Sequence, residues 1–359
     1  MSDPGEPRST SPFVGDGELA ARMREFNWSA TPLGPVEGWP ASLRSVVRIL
    51  LTSRFSMWLG WGPELTFLYN DAYCRDTLRA KHPWALGQPA REVWAEIWHD
   101  IGPRIESVLD SGVATWDESL LLFLERSGYP EETYHTFSYS PLADEDGHVV
   151  GMLCVVSEDT DRVLSERRMA TLRDLAAAVA ASRTRDGVLA GVRQQLGANL
   201  RSVPFSLTYL FDERGVAHLV CTTGIETGAA GAPSKIKPGD DETSWPISRM
   251  RAAQTTLVED LATRFGPLPT GAWTQPPTRA AVVPLAAAGG QSSVAGFLIA
   301  GLNPHRPYDD RYRAFIELVA SQITAGLVNA GAYEAERHRA EALAELDRAK
   351  TEIFFQRQP

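Results

Sequence analysis

The residues best suited to holding a small molecule are Trp84, Trp94, Trp98 and Trp116. Flat aromatic walls are what a planar ligand needs, although the same rings also make ordinary core. Four histidines, His82, His99, His135 and His148, belong to the same stretch. A haem group needs one axial histidine facing its pocket, and His82 and His99, on the helical side, are the candidates. Solvated or internally satisfied imidazoles are the simpler reading of all four. Cys74, Cys154 and Cys221 are far apart and form no C-x-x-C pair, which fits reduced thiols. The paired carboxylates Glu131-Glu132 and Asp309-Asp310 fall at an expected turn and an expected helix start, where solvated-turn and N-cap roles account for them. No G-x-S-x-G, G-x-x-x-x-G-K-[ST] or H-E-x-x-H occurs, so nothing argues for an autonomous enzyme and no catalytic or metal-ligating residue is predicted.

These side chains need domains to position them, and 359 residues suffice for two or three. A net charge of -10 without any Lys/Arg cluster argues against a nucleic-acid-binding face. No apolar run reaches membrane-spanning length; the longest candidate, Val46 to Leu51, is broken by Arg48, so no membrane insertion is expected. The first residues are polar and Pro-rich and lack the apolar stretch of a signal peptide. The expectation is a cytoplasmic protein whose residues 1–15 are disordered.

Asp16 to Arg24 reads as a helix, and the Trp/Pro/Gly-punctuated segment from Trp28 to Pro40 as irregular chain clipped down by its tryptophans. Ser42 to Thr52 is amphipathic, with Leu43, Val46, Val47, Leu50 and Leu51 inward. Short strands follow at Phe55–Gly60 and Glu64–Tyr69, then a helical run from Ile101 to Leu109. Strands at 114–125, 134–142 and 149–156 are joined by the hairpin turns Ser127-Gly128 and Asp144–Gly147. Together they predict a five-stranded antiparallel sheet with helices on one face. Residues 161–185 form a further helix, with Leu164, Leu172, Leu175 and Val179 on one face, broken at Asp186-Gly187. Beyond it come a helix over 188–200, two strands at 205–211 and 217–222, a loop-rich middle, and inner strands at 280–285 and 294–302.

The last helix runs from about Tyr308 to Phe355. Its apolar residues, Tyr312, Ile316, Val319, Ile323, Gly326, Ala330 and Tyr333, recur in steps of four and three, and a second run, Leu343, Leu346 and Ile353, is out of phase with the first. A homodimer is expected through this helix, on Ile316, Val319, Ile323, Leu343, Leu346 and Ile353.

The N-terminal part resembles the PAS sensor family. Tyr69-Asn70 followed by Asp71-Ala72-Tyr73 resembles the N-x-A-[FY] start of the first PAS helix, Gly87 stands at the G-x-[PS] turn, and Glu158-Asp159-Thr160-Asp161 resembles the acidic-Thr exit. The stretches TPLGPVEGWPASLR and Gly128 to Pro141 resemble a PAS subgroup found at the front of bacterial hybrid sensor histidine kinases. The sequence from Gly301-Leu-Asn-Pro304 through Tyr308-Asp-Asp310 to Ile323 resembles the end of a GAF domain. The ending Leu346-Asp-Arg-Ala-Lys-Thr351 with Phe354-Phe355 resembles the start of the dimerisation and phosphotransfer helix of a histidine kinase.

The resemblance implies an α+β chain. Residues 16–160 form a PAS-like five-stranded antiparallel sheet domain with an N-terminal helical extension. A connector helix over 161–186 leads to a GAF-like α/β sandwich domain over 187–330, and an output helix over 331–359 is truncated before the phospho-acceptor histidine. The implied function is the sensory input module of a two-component system, with a histidine kinase or response regulator as partner. A stand-alone adaptor that pairs with a kinase and a cofactor-binding photo- or redox sensor stay open. No cofactor is predicted, since the N-C-R-F-L-Q flavin signature and a Cys-His bilin pair are absent from the sequence; the small-molecule ligand is unknown.

Overall fold

The computed structural model of the protein describes residues 11–240, 244–247, 254–286 and 294–356, with backbone only at 347 and 349–356. The fold is mixed α and β, with two antiparallel sheets in two compact units, Met1–Leu164 and Ser165–Pro359.

In the first unit, helices α1 (Glu18–Glu25) and α2 (Ala41–Thr52) precede strands β1 (Ser56–Trp61) and β2 (Thr66–Tyr69). The short helices α3 (Asp71–Tyr73) and α4 (Ala90–Val93) and the longer α5 (Trp98–Ser111) follow, then strands β3 (Thr115–Leu124), β4 (Glu131–Ala143) and β5 (Val149–Glu158). The sheet order is β2-β1-β5-β4-β3, so the last strand lies beside the first. Neighbouring strand residues point to opposite faces, and Trp58 and Leu59 are both buried, so β1 is covered on both faces and not on the single face expected. α2 packs against β1 and β2, and α5 against β3, β4 and β5.

Asn70 joins these parts. Its side chain accepts from the backbone N–H of Tyr73 (3.0 Å) and Met57 (3.2 Å) and donates to the carbonyls of Leu50 (3.1 Å) and Phe55 (2.8 Å). One amide thus caps α3 and holds the end of α2 against β1. Of the expected disordered start, residues 1–10 lie outside the described residues. Phe13 is buried, stacked on Trp28 and edge-on to Trp39.

The second unit takes in most of α6 (Thr160–Ala181), then α7 (Arg185–Gly197), strands β6 (Ser206–Phe211), β7 (Ala217–Thr223), β8 (Lys235–Ile236) and β9 (Thr256–Val258), helix α8 (Leu261–Phe265), strands β10 (Ala280–Ala286) and β11 (Val294–Gly301), and helix α9 (Asp310–Gln356). The sheet order is β8-β7-β6-β11-β10-β9. The helix break falls ahead of Arg185 and not at Asp186-Gly187, because the Thr184 hydroxyl caps the new helix by accepting from Gly187 N–H.

One core joins Leu175, Val192, Leu298, Ile316, Val319 and Ile323. A second is built from Phe205, Tyr209, Trp245, Phe297 and Ile299. Asp309 caps α9, its carboxylate accepting from Tyr312 N–H at 2.8 Å, as the paired carboxylates predict. A Cβ at Gly326 would collide with Val179, so glycine is what lets α6 and α9 approach there.

Two expectations about this helix need correction. Ile316, Val319 and Ile323 are buried within their own domain and offer no seam to a second chain. A stripe of period 3.6 looks the same whether it faces a sheet or a partner helix. An 18-residue window of α9 also reaches a mean hydropathy of 1.2, long and apolar enough to cross a membrane by length and composition, contrary to the expectation that no such run exists. That apolarity is spread over small residues and a core-facing stripe, so it does not appear as an unbroken run of large side chains.

Candidate functional site

Strand β4 builds the site. Alternation places Glu131, Thr133, His135, Phe137 and Tyr139 on one face, polar at the start and aromatic at the end. All five are buried. A cavity of about 30 Å³ lies on this face, lined by His135, Phe137 and Tyr139 with Trp58, Tyr73, Trp94 and Cys154 from neighbouring elements. Tyr73 and Trp94 meet edge to face at 6.3 Å, and Phe137 and Tyr139 are tilted at 4.9 Å. Burial holds the Tyr73 and Tyr139 phenols and the Cys154 thiol well above their usual ranges, so all three are neutral.

At the polar end Arg126 is fully buried. Its Nε donates to Glu131 (3.1 Å), and its two terminal nitrogens donate to the two oxygens of Glu158 (2.8 and 2.7 Å). Burial works against the charge on Arg126, but the hydrogen bonds and charge of Glu158, joined by those of Glu131, raise its pKa overall. Burial likewise opposes ionisation of Glu158, and the Arg126 contacts outweigh it, leaving the carboxyl below its usual range. Thr160, the first residue of α6, donates to Glu158 (3.0 Å) and accepts from Tyr134 N–H (3.0 Å). The cluster therefore spans the junction where β5 ends and α6 begins. His135 pairs with Glu158 across the sheet, and burial pushes its imidazole down to about 4, so it is neutral near pH 7.

Of the four tryptophans expected to line a pocket, only Trp94 does so. Trp84 and Trp116 are 52% and 69% exposed, and Trp98 is half-buried at the start of α5. The first two are displaced because Trp84 follows a loop proline and Trp116 lies on the edge strand β3. His82 accepts or donates between Tyr69 Oη (2.7 Å) and Glu18 (3.0 Å), and His99 and His148 are on the surface. Neither haem candidate reaches the cavity. Glu131 and Glu132, expected in a solvated turn, are buried in β4 because that strand begins three residues earlier than Tyr134. The polar residues at every second position from Glu131 to His135 were the available signal. Burial raises the pKa of the Cys74 and Cys221 thiols as well, and all three cysteines are free.

Two wider depressions lie in the second unit. One of about 480 Å³ is bordered by Arg167, Thr171 and Asn199, and one of about 460 Å³ by Phe211, Leu285 and Leu327. Among the described residues, neither is lined by a buried polar atom that lacks a hydrogen bond, whereas His135 brings one to the small cavity.

Residues 182–328 match the GAF domain family, which suggests a sensory or regulatory module in this part of the chain. Among solved structures, the chain is similar to the GAF domain of a phosphoenolpyruvate-protein phosphotransferase (ptsP) from Coxiella burnetii, at 18% identity and a TM-score of 0.37, over 48% of this chain and 98% of that one. The GAF domain of the Acinetobacter phosphoenolpyruvate-protein phosphotransferase aligns at 18% identity and a TM-score of 0.34, over 46% and 94%. The fRMsr of Staphylococcus aureus in complex with substrate aligns at 17% identity and a TM-score of 0.34, over 45% and 95%. No curated protein sequence matches the chain.

Proposed function

We propose that the protein is the sensory input region of a two-component histidine kinase, acting in the cytoplasm as a homodimer. In this reading the first unit is a PAS-like ligand sensor and the GAF domain a second sensory element. Helix α9 is the output. The observation that carries the proposal is the division of α9: Tyr312 to Ala330 holds the domain core, while the same unbroken helix continues with Leu343 and Leu346 at 67% and 58% exposure. Apolar residues so exposed on a helix with no core beneath them suit pairing with a second helix. The sheet order β2-β1-β5-β4-β3 and the Asn70 cap of α3 support the PAS-like reading.

A ligand in the β4 cavity would act through the Arg126–Glu158–Thr160 junction, since that cluster borders His135 and holds the first turn of α6. It shifts the balance between two packings only by its difference in affinity for them, about 5.5 kcal/mol for near-complete switching. The test is to continue α9 in register into the catalytic half of a histidine kinase and follow autophosphorylation. Activity should depend on helix phase, so inserting one to four residues after Leu346 should alternately raise and lower the rate. A rate indifferent to every insertion would sink the output-helix reading.

A further inference from the structure

The tautomer of His135 follows from its neighbours. Thr133 Oγ1 donates its single proton to the Leu122 carbonyl at 2.8 Å. The 3.1 Å contact between the same oxygen and His135 Nε2 therefore has Nε2–H as the donor. In a neutral imidazole the other nitrogen then carries only a lone pair. That nitrogen, Nδ1, is buried and has no hydrogen-bond partner among the described residues, and its ring lines the cavity. A buried acceptor left unpaired is costly, so the cavity gains most from an occupant that supplies a proton.

We propose that the cavity selects compact, neutral molecules bearing one N–H or O–H donor, with the Nδ1 lone pair of His135 as the acceptor that reads it. This rests on the reading of the first unit as a ligand sensor and adds the chemical class it senses. Size sets the first limit: about 30 Å³ takes two or three waters or one small planar ring of similar bulk. Charge sets the second. An anion finds no free positive partner in Arg126, whose guanidinium is engaged by Glu131, Glu158 and the Asp76 carbonyl, and the phenol and indole donors in the lining carry no charge to balance it. A cation is disfavoured by burial, which already keeps the His135 imidazole neutral against the pull of Glu158, Asp159 and Glu131, and the Trp94 face is taken by Lys81 Nζ at 4.3 Å from the ring centroid. Trp58, Tyr73, Phe137 and Tyr139 supply flat apolar walls for the rest of the ligand.

Pyrrole and furan test this, being matched in size and differing in one N–H. Binding to the full chain is followed by thermal shift and by the ¹⁵N resonances of the His135 imidazole. Pyrrole should bind about tenfold more tightly than furan and shift the Nδ1 resonance, and the preference should vanish in His135→Phe. Should that variant not fold, the pyrrole-to-furan ratio and the Nδ1 shift in the wild-type chain decide alone. Equal binding of both with an unmoved Nδ1 overturns the donor selectivity while the cavity remains a ligand site. Methylammonium binding in preference to pyrrole overturns the neutral class. No binding of any of the three overturns the selectivity and the ligand-sensor reading together.

Discussion

The two interiors are built from the same material, an antiparallel sheet under helices, yet they bury different things. Strand β4 of the first unit carries Glu131, Glu132 and His135 within five positions, Glu131 paired with a fully buried arginine and Glu132, on the other face, accepting from Tyr134 Oη. In the GAF domain the corresponding inward residues are Tyr209, Phe297 and Ile299, closed by Trp245. Among the described residues the buried Asp, Glu, Lys and Arg side chains are Arg126, Glu131 and Glu132, all in the first unit. Buried charges are a poor way to gain stability, since well-packed apolar residues usually do as well or better. The GAF domain closes its interior with aromatic residues, and the first unit keeps a polar junction beside a small cavity.

Breaking the polar junction should give the largest effect. Arg126→Leu strands two carboxylates without their partner, so the unfolding transition of the first unit should fall by about 3–5 kcal/mol in a urea titration. The GAF transition should not move; equal movement of both would remove the contrast.

Acid should separate the units next. The folded pKa of His135, about 4, lies below its unfolded value of about 6.5, so the unfolded chain binds the proton more readily. The associated stability is whole above the unfolded pKa and is lost as pH falls towards 4, by roughly 3 kcal/mol in all. Glu158, held below the usual carboxylate range, adds a second loss only at lower pH. Two-probe thermal melts across this range should show the first unit weakening, and His135→Phe should flatten the upper part of the curve.

A substitution in the aromatic core sharpens the other side. Phe297→Leu, which removes a buried ring stacked on Tyr209, should cost the GAF transition about 1–2 kcal/mol, by the same amount at neutral and mildly acid pH. The smallest stability effect belongs to Leu343→Asn combined with Leu346→Asn, within about 0.5 kcal/mol because both side chains are exposed. Sedimentation should nevertheless show the dimer dissociating, and a monomer before and after substitution would contradict pairing through the outer part of α9. Ile353 occupies that part of the helix too, but its side chain lies outside those described.

Much of the architecture was legible in the chain. Period-two runs and hairpin turns located the first sheet and four of the six strands of the second, missing β8 and β9 in the loop-rich middle. Asp309 read correctly as a helix start, while Gly326, expected in a stripe facing a partner chain, faces Val179 of α6. The candidate site was far less legible. Four tryptophans near one another in sequence suggested a pocket wall, and only Trp94 reached it. Trp58, Tyr139 and Cys154, which do line it, lie on three strands brought side by side only by the sheet register, where Trp58 pairs with Cys154 and Cys154 with Tyr139.

What the sequence by itself determined is local: which segments are helix or strand, where they stop, and which face of each is apolar. Those features depend on neighbours within a few residues, through backbone geometry and side-chain period. The tertiary structure alone decided which apolar stripe meets which. It turned Ile316, Val319 and Ile323 into core, left Leu343 and Leu346 in solvent, and set Arg126 between Glu131 and Glu158 beneath His135. An amphipathic pattern says that a face must be buried but carries no address for its partner, and a charged residue reads as solvated until its counter-ion, 32 positions away in the case of Arg126 and Glu158, is brought beside it.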